Sequence, residues 1–279
     1  MQPETWAHGL DVNTPSSARM YDYYLGGSHN FAADRAAAEQ VIAAMPAAPG
    51  IARANRAFLR RSVRYMLAHG IRQFLDLGSG IPTVGNVHEI AQRVAPETRV
   101  AYVDIDPVAV TLATRLLDGD GRAVALLADL RQPQQLLHRP ELRTVLDLSR
   151  PVGLLLVSVL HFISDVDDPH GAVAMLRDAV APGSHLALSH GLDSGFVAGE
   201  AAAVQGVYRT TTTPGGLRTM EQITAFFEGF TMVDPGIVWL DEWRPDPPAG
   251  NGDRPVATGN ADRPVATGIV AGVGRLDPL

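Results

Sequence analysis

Apolar positions recur at two spacings along the chain, and the change falls near Gly70. From Asn13 to Gly70 the spacing is helical. Thr14 and Pro15 have the form of a cap followed by a first-turn proline, and the Gly26-Gly27 pair ends the short helix they open. Asn30 is suited to cap a second helix over Phe31–Met45, which Pro46 stops. A third, from about Pro49 to His69, carries Ile51, Phe58, Leu59, Val63, Met66 and Leu67 on one face, with Gly70 at its C-terminal cap. Beyond Gly70, short apolar runs alternate with helical stretches. Strands are predicted at Gln73–Leu77, Val100–Asp104, Ala123–Leu127, Gly153–Val159 and His185–Ser189. Helices over Pro82–Val94, Pro107–Leu117, Pro133–Leu137, Leu142–Leu148 and Pro169–Val180 separate them. The strands are apolar almost throughout and rich in Val and Leu. With the alternation, this predicts right-handed βαβ units and a parallel sheet covered on both faces.

The pattern changes again toward the end. Thr219–Phe227 reads as a helix, Phe230–Trp243 as one long or broken strand, and Ile269–Arg275 as a final strand. Between the last two lies Arg244–Gly268, rich in Pro, Gly, Asn and Asp, in which NGDRPVATG at Asn251–Gly259 is repeated as NADRPVATG at Asn260–Gly268. Stacked-repeat folds need at least about three units to bury a core, so this pair reads as a local duplication in a surface loop. The expected organisation is a helical lid segment over residues 1–70 followed by a Rossmann-like domain over residues 71–279, with 244–268 as its surface loop.

Composition narrows the function classes. At 279 residues and 46% apolar content the chain can bury a large core. A net charge of −7 argues against nucleic acid held by a general electrostatic footprint. Arg53, Arg56, Arg60, Arg61 and Arg64 form a local basic cluster, which reads as the solvated face of an amphipathic helix. The absence of cysteine excludes disulfides, thiolate metal sites and a Cys nucleophile. No run approaches about 18 apolar residues, and the start MQPETWAHG lacks a basic region followed by an apolar one, so a cytoplasmic protein without a membrane partner is expected. All 23 basic residues are arginine, as in a GC-rich genome.

The chemistry concentrates in FLDLGSG, Phe74–Gly80. An apolar strand empties into a turn where Gly78 and Gly80 let the backbone approach a ligand, with Ser79 between them, and Asp76 stands at the strand's end. That carboxylate repels a phosphate and attracts an ammonium, which favours S-adenosylmethionine over a dinucleotide. The second strand ends in VDIDP. Asp104, about 20 residues beyond the glycine turn, is where an acidic residue meets ribose hydroxyls, with Ile105 next to it and Asp106 as the fallback. The third ends in ADL, where Asp129 and Leu130 suit an adenine amino group and ring. His161, just after the fourth strand, is a candidate general base. His185, His190 and Asp193 do not form a metal set, because strand periodicity puts His185 and His190 on opposite faces. Two other readings stay open at this level: an NAD-dependent oxidoreductase, disfavoured by Asp76, and a non-catalytic regulator that binds the cofactor.

Taken in order, DLGSG, VDIDP, ADL and LLLVSVLHFISD resemble the motifs of class I S-adenosylmethionine-dependent methyltransferases. More specifically, PSSARMYDYYLGGSHNFAADRAA followed by ANRAFLRRSVRYMLAHGIRQFLDLGSGIPTVGNVHEIAQ closely resembles an actinobacterial S-adenosyl methyltransferase family, formerly a domain of unknown function. The similarity runs from about Thr14 to Arg275 apart from the repeat loop. It implies a mostly parallel seven-stranded sheet with an antiparallel last strand. It also implies cofactor contacts at Asp76, Gly78, Gly80, Asp104, Asp129 and Leu130, with Ser79 and Ile105 in the same turns. Generic members often have a third glycine where this chain has Pro82, so the first turn is kept and the contact beyond it is not implied. In YDYYLGGSHNF, Tyr21, Tyr24, Gly27 and Asn30 are expected to close over the methionine end of the cofactor, and Arg53 to meet its carboxylate. The implied acceptor is a small molecule, and no metal is expected. Methyl transfer from a sulfonium needs alignment and a dry site more than a protein nucleophile, so the lack of a catalytic triad fits.

Overall fold

The computed structural model describes residues 10–82, 85–246 and 268–278. Both copies of the nine-residue repeat, save Gly268, and Thr83 beyond the first glycine turn lie outside them. Three helices come first: α1 (Ser17–Tyr24), α2 (Ala32–Ala44) and α3 (Ala48–Ala68). Then follow β1 (Gln73–Leu77), α4 (Val87–Val94), β2 (Arg99–Asp104), α5 (Pro107–Leu116), β3 (Ala123–Leu127), α6 (Pro133–Leu137), α7 (Pro140–Val145) and β4 (Gly153–Val157). The chain continues with α8 (Pro169–Asp178), β5 (His185–Gly191), α9 (Ala198–Tyr208), α10 (Met220–Ala225), β6 (Thr231–Met232), β7 (Val238–Trp239) and β8 (Ile269–Arg275).

One sheet runs β3-β2-β1-β4-β5-β8-β6, with β7 also on β8. The first five strands are parallel, and β8 is antiparallel to β5 along its whole length, from His185 opposite Arg275 to Gly191 opposite Ile269. The expected edge strand over Phe230–Trp243 is broken into β6 and β7. Pro235 lacks an amide donor and Gly236 takes a positive φ of 87°, so the stretch between them leaves the ladder.

Period-2 alternation sorts the strand residues into two cores. Leu75, Leu77, Val103, Leu154, Leu156, Leu186 and Leu188 join the layer of α6, α7, α8 and α10. Phe74, Tyr102, Leu155 and Ala187 face the other way, against Phe58, Leu59, Val63 and Met66 of α3. Asp76 lies between Phe74 and the turn on that second face, beside Tyr102 and Leu155 in register, and is thereby delivered beneath α3. The third helix is therefore a layer of the sheet domain, while α1 and α2 form a smaller cluster with Val204, Val207 and Tyr208 of α9.

Several helix starts are shifted from their sequence signals, each for a visible reason. The first helix begins after Ser16, because the Thr14 carbonyl is taken by Arg19 Nη2 at 2.6 Å. The second begins after Phe31, whose amide donates to Asp34 Oδ2 at 2.8 Å, and Asn30 lies one residue outside. Pro82 does not open α4; Asn86 caps it, with its amide on Glu89 Oε2 at 3.1 Å, a reciprocal capping arrangement. The arginine cluster is not one solvated face. Arg61 donates to the Trp243 carbonyl at 2.8 Å, Arg60 and Arg64 pair with Asp246, and Arg56 turns inward. No helix among the described residues is long and apolar enough to cross a membrane.

Candidate functional site

A cavity of about 470 Å³ opens over the C-terminal ends of β1 to β5 and beneath α1, α2, α3 and α9. Its size is in the range of small-molecule sites, about 300–1,000 Å³. The exits of the first three strands line it with Asp76, Gly78, Ser79, Gly80, Asp104, Ile105, Asp129 and Leu130. Tyr24 and His161 also reach it. Most of the sequence candidates, Tyr21 among them, are thus brought to one cavity.

Gly78 and Gly80 hold φ values of 69° and 65°, a left-handed conformation that side chains disfavour. At Gly78 a Cβ would lie 2.2 Å from Val159 Cγ2, so the residues after β4 pack directly on the turn. At Gly80 nothing lies within 4 Å of that position, which leaves the open side to a ligand. The turn is fixed from below: Asp104 accepts from Gly80 N at 2.7 Å and from Asp106 N at 2.8 Å.

Burial governs the electrostatics. Asp76 is 4% exposed, and desolvation raises its pKa to about 7; the guanidinium of Arg56 acts downward and the charge of Asp104 upward. Burial likewise lifts Asp104 to about 6, although backbone hydrogen bonds from Asp106, Gly80 and Ile105 oppose the shift. Asp129 is held low by its bond to Arg131, with Nη2 to Oδ2 at 2.7 Å. Arg56 Nε is buried with no hydrogen-bond partner in the protein, and its guanidinium carbon sits 5.7 Å from the Tyr21 ring centre. Two buried carboxylates and an unpartnered guanidinium nitrogen form a donor set short of a cation and an anion. The zwitterionic amino-acid end and the ribose of S-adenosylmethionine fit that set, as does the open side of Gly80.

Three candidates are placed elsewhere. Arg53 is exposed and does not line the cavity; Arg56, one turn further along α3, does. Gly27 and Asn30 do not line it either. Their role is visible in the loop after α1, where Asn30 Nδ2 donates to Asp22 Oδ2 at 2.8 Å and to the Gly27 carbonyl at 3.0 Å. A Cβ on Gly27 would fall 2.0 Å from Asp22 Oδ1, so glycine is required for that closure.

The far wall joins Tyr21, a sequence candidate that lines the cavity, to residues that sequence reasoning missed. Tyr21 donates to the Ala52 carbonyl at 2.9 Å and accepts from Asn55 Nδ2 at 3.1 Å; Asn55 Oδ1 accepts from Ser189 Oγ at 2.7 Å, which in turn accepts from Ser158 N at 2.9 Å. This chain ties α1, α3, β4 and β5 together at the cavity. Ser158 has a φ of 55°, a strained value for a residue with a side chain. From α9 come Val204, Gln205 and Tyr208, and from the segment after it Thr213 and Gly215.

His161 sits in a short 3₁₀ turn, Leu160–Phe162, with Nδ1 buried and unpartnered. Burial lowers its pKa well below the usual histidine value, with His190 and Arg218 acting in the same direction. The loop that carries it is clamped by Arg218, which donates to the Leu160 carbonyl at 2.8 Å, the Ile163 carbonyl at 2.7 Å and Asp165 Oδ1 at 2.6 Å. Arg218 also donates to His190 Nε2 at 2.8 Å, so His190 is consumed in positioning. His185 and His190 alternate across β5, and no group of three or more metal-ligating side chains is assembled among the described residues.

A family model described as S-adenosyl methyltransferase matches residues 3–277. Two crystal structures are similar over nearly the whole chain. A candidate methyltransferase from Thermobifida fusca YX is 39% identical, covers 99% of this chain and 100% of its own, and superposes with a TM-score of 0.86. A DUF574 family protein from Streptomyces avermitilis MA-4680 is 40% identical, covers 96% of this chain and 99% of its own, and also gives 0.86. No functionally curated protein matches the chain.

Proposed function

Because the chain belongs to the S-adenosyl methyltransferase family and is an S-adenosylmethionine-dependent methyltransferase, we propose that it methylates a small molecule, held between the ends of β4 and β5 and the helical cover. The observation that carries this reading is the single cavity of about 470 Å³ into which both the glycine-turn carboxylates and the aromatic far wall project. When bound, the cofactor supplies an electrophilic methyl group.

Asp76 takes the cofactor's ammonium and Arg56 its carboxylate, the role the sequence had suggested for Arg53. Asp104 meets the ribose hydroxyls, and its existing bonds to two backbone amides hold it in place for them. Ile105, at 44% exposure, and Leu130 flank the adenine, whose amino group meets Asp129. Gly78, Ser79 and Gly80 supply the close backbone approach. Tyr24 is the lid contact, while Gly27 and Asn30 shape the loop behind it. His161, neutral by virtue of burial, accepts a hydrogen bond from the acceptor.

A small acceptor also agrees with the net charge of −7, which gives no footprint for nucleic acid. The test is incubation of the protein with methyl-labelled S-adenosylmethionine and separated extract fractions of its host. Label is expected in the small-molecule fraction and to disappear with Arg56→Ala. Label in the protein or RNA fraction instead would overturn the reading.

A further inference from the structure

We infer that the acceptor is an uncharged, planar aromatic molecule with one hydroxyl or N–H group, packed against Phe162 and Tyr208 with that group on His161. This rests on the cofactor end of the cavity being the one described above.

Charge is segregated along the cavity. Its charged lining side chains are Arg56, Asp76, Asp104, Asp129, Arg131 and Asp167. Arg56 and Asp104 both act on Asp76. Arg131 pairs with Asp129 at 2.7 Å and stands 4.0 Å from Asp167, which keeps Asp167 with the β3 end. The lining contributed by α1, α2, α9 and the segment after α9 has no charged side chain. A carboxylate or ammonium on the acceptor would lose its hydration there without gaining a counter-charge.

The same half is aromatic and continuous. The Tyr24 and Tyr208 hydroxyls are 3.5 Å apart, and burial raises both phenols, so both stay uncharged. The Tyr208 ring lies 5.6 Å from Phe162, and Phe162 lies 4.3 Å from His161. Met45 and Val204 add aliphatic surface. Such a strip offers ring faces and edges to a flat partner. Gly215 keeps it open: a Cβ there would lie 3.3 Å from the Phe162 ring.

Among the described residues, one buried side-chain atom in this half lacks a hydrogen-bond partner. His161 Nδ1 is buried without a hydrogen bond, whereas the hydroxyl of Thr213 is already paired with Ser17 at 2.6 Å. A neutral imidazole accepts from one protic group at one nitrogen and donates at the other. An acceptor with one such group and an otherwise apolar plane matches the inventory.

The test uses the protein saturated with S-adenosylhomocysteine and three matched fluorescent probes: 2-naphthol, 2-naphthoate and 2-naphthylmethylamine. The neutral naphthol is expected to bind at least about tenfold more tightly than either charged probe. Phe162→Ala is expected to weaken naphthol about tenfold while S-adenosylhomocysteine affinity stays within about twofold, and Phe162→Leu, which keeps apolar volume, to show the same direction. His161→Leu is expected to weaken naphthol and leave naphthalene binding unaltered. Equal or tighter binding of a charged probe, no binding of naphthol at its solubility limit, or indifference to both Phe162 variants would overturn the inference. Failure of S-adenosylhomocysteine to bind is a different result, and it would instead overturn the cofactor reading.

Discussion

Asp76 and Asp104 are carboxylates that the fold holds at a cost to itself. Each keeps its proton to higher pH in the folded chain, to about 7 and about 6, than in the unfolded chain, where ordinary values of about 4 apply. The folded state therefore binds more protons than the unfolded state between those limits, and the two groups lower stability as pH rises from about 4 to about 7. Asp76→Asn removes the larger of these penalties. It is expected to unfold at higher denaturant than wild type at pH 8, by about 1–3 kcal/mol, with the difference vanishing toward pH 4. A ligand ammonium reverses the balance by favouring the charged carboxylate. S-adenosylhomocysteine should then bind about tenfold more tightly at pH 8 than at pH 6, with proton release visible as a buffer-dependent enthalpy in calorimetry. The same Asn variant should flatten that pH dependence and lose affinity about thirtyfold, the worth of a charge-assisted contact. A flat profile in wild type would show that Asp76 does not face the ammonium.

At the scale of elements, the glycine turn after β1 and the loop after β4 behave as one piece. Gly78→Ala must both hold a left-handed backbone and displace Val159, so a loss of about 2–4 kcal/mol in chemical denaturation is expected, together with weaker cofactor binding. Gly80→Ala meets open space and carries only the backbone strain, about 1–2 kcal/mol. Similar losses for the two would mean that the turn relaxes independently of β4.

This pairing was invisible in the sequence, although both partners were marked as motifs. What the sequence made legible was the part written in local periodicity. The five parallel strands and the order of acidic residues at their ends follow from short apolar runs and turn residues, and the structure reproduces them within a few residues. The far wall was illegible because it is made by tertiary contacts. The α9 segment, AGEAAAVQGVY, is alanine-rich with no strong apolar stripe, so nothing marked Tyr208 as a cavity residue. That Arg56 and not Arg53 lines the cavity was illegible for a related reason. Both lie on the same helix, and only its rotation against the sheet, set by Phe58, Leu59 and Met66, decides which guanidinium turns inward.

In the whole molecule, the N-terminal helices must be joined to the sheet firmly enough to roof the cavity, and a buried ionic cluster does this. Arg19, 2% exposed, places Nε 3.2 Å from Asp34 Oδ1 on α2 and 3.6 Å from Asp106 Oδ2 at the cap of α5. Its other nitrogens donate to the carbonyls of Asp11 and Thr14 at 2.8 and 2.6 Å. Ser16 Oγ donates to Asp106 Oδ2, and the Ser16 amide donates to Asp34 Oδ1 at 2.9 Å. One guanidinium thus links α1, α2 and the start of α5. Removing it leaves two buried carboxylates without a counter-charge, a loss of about 3–5 kcal/mol at neutral pH. Burial already raises Asp34, so in Arg19→Ala acid neutralises the uncompensated charge; the penalty is expected to shrink as pH falls below neutral. Hydrogen exchange separates a local from a global effect. If the cluster is the joint, amides of α1 and α2 should lose protection while those of β1, β4 and β5 keep theirs, and S-adenosylhomocysteine should restore part of the loss by binding only the roofed state. Uniform loss across the sheet would instead show that α1, α2 and the sheet open as one cooperative unit, with no separable lid for the cofactor to close.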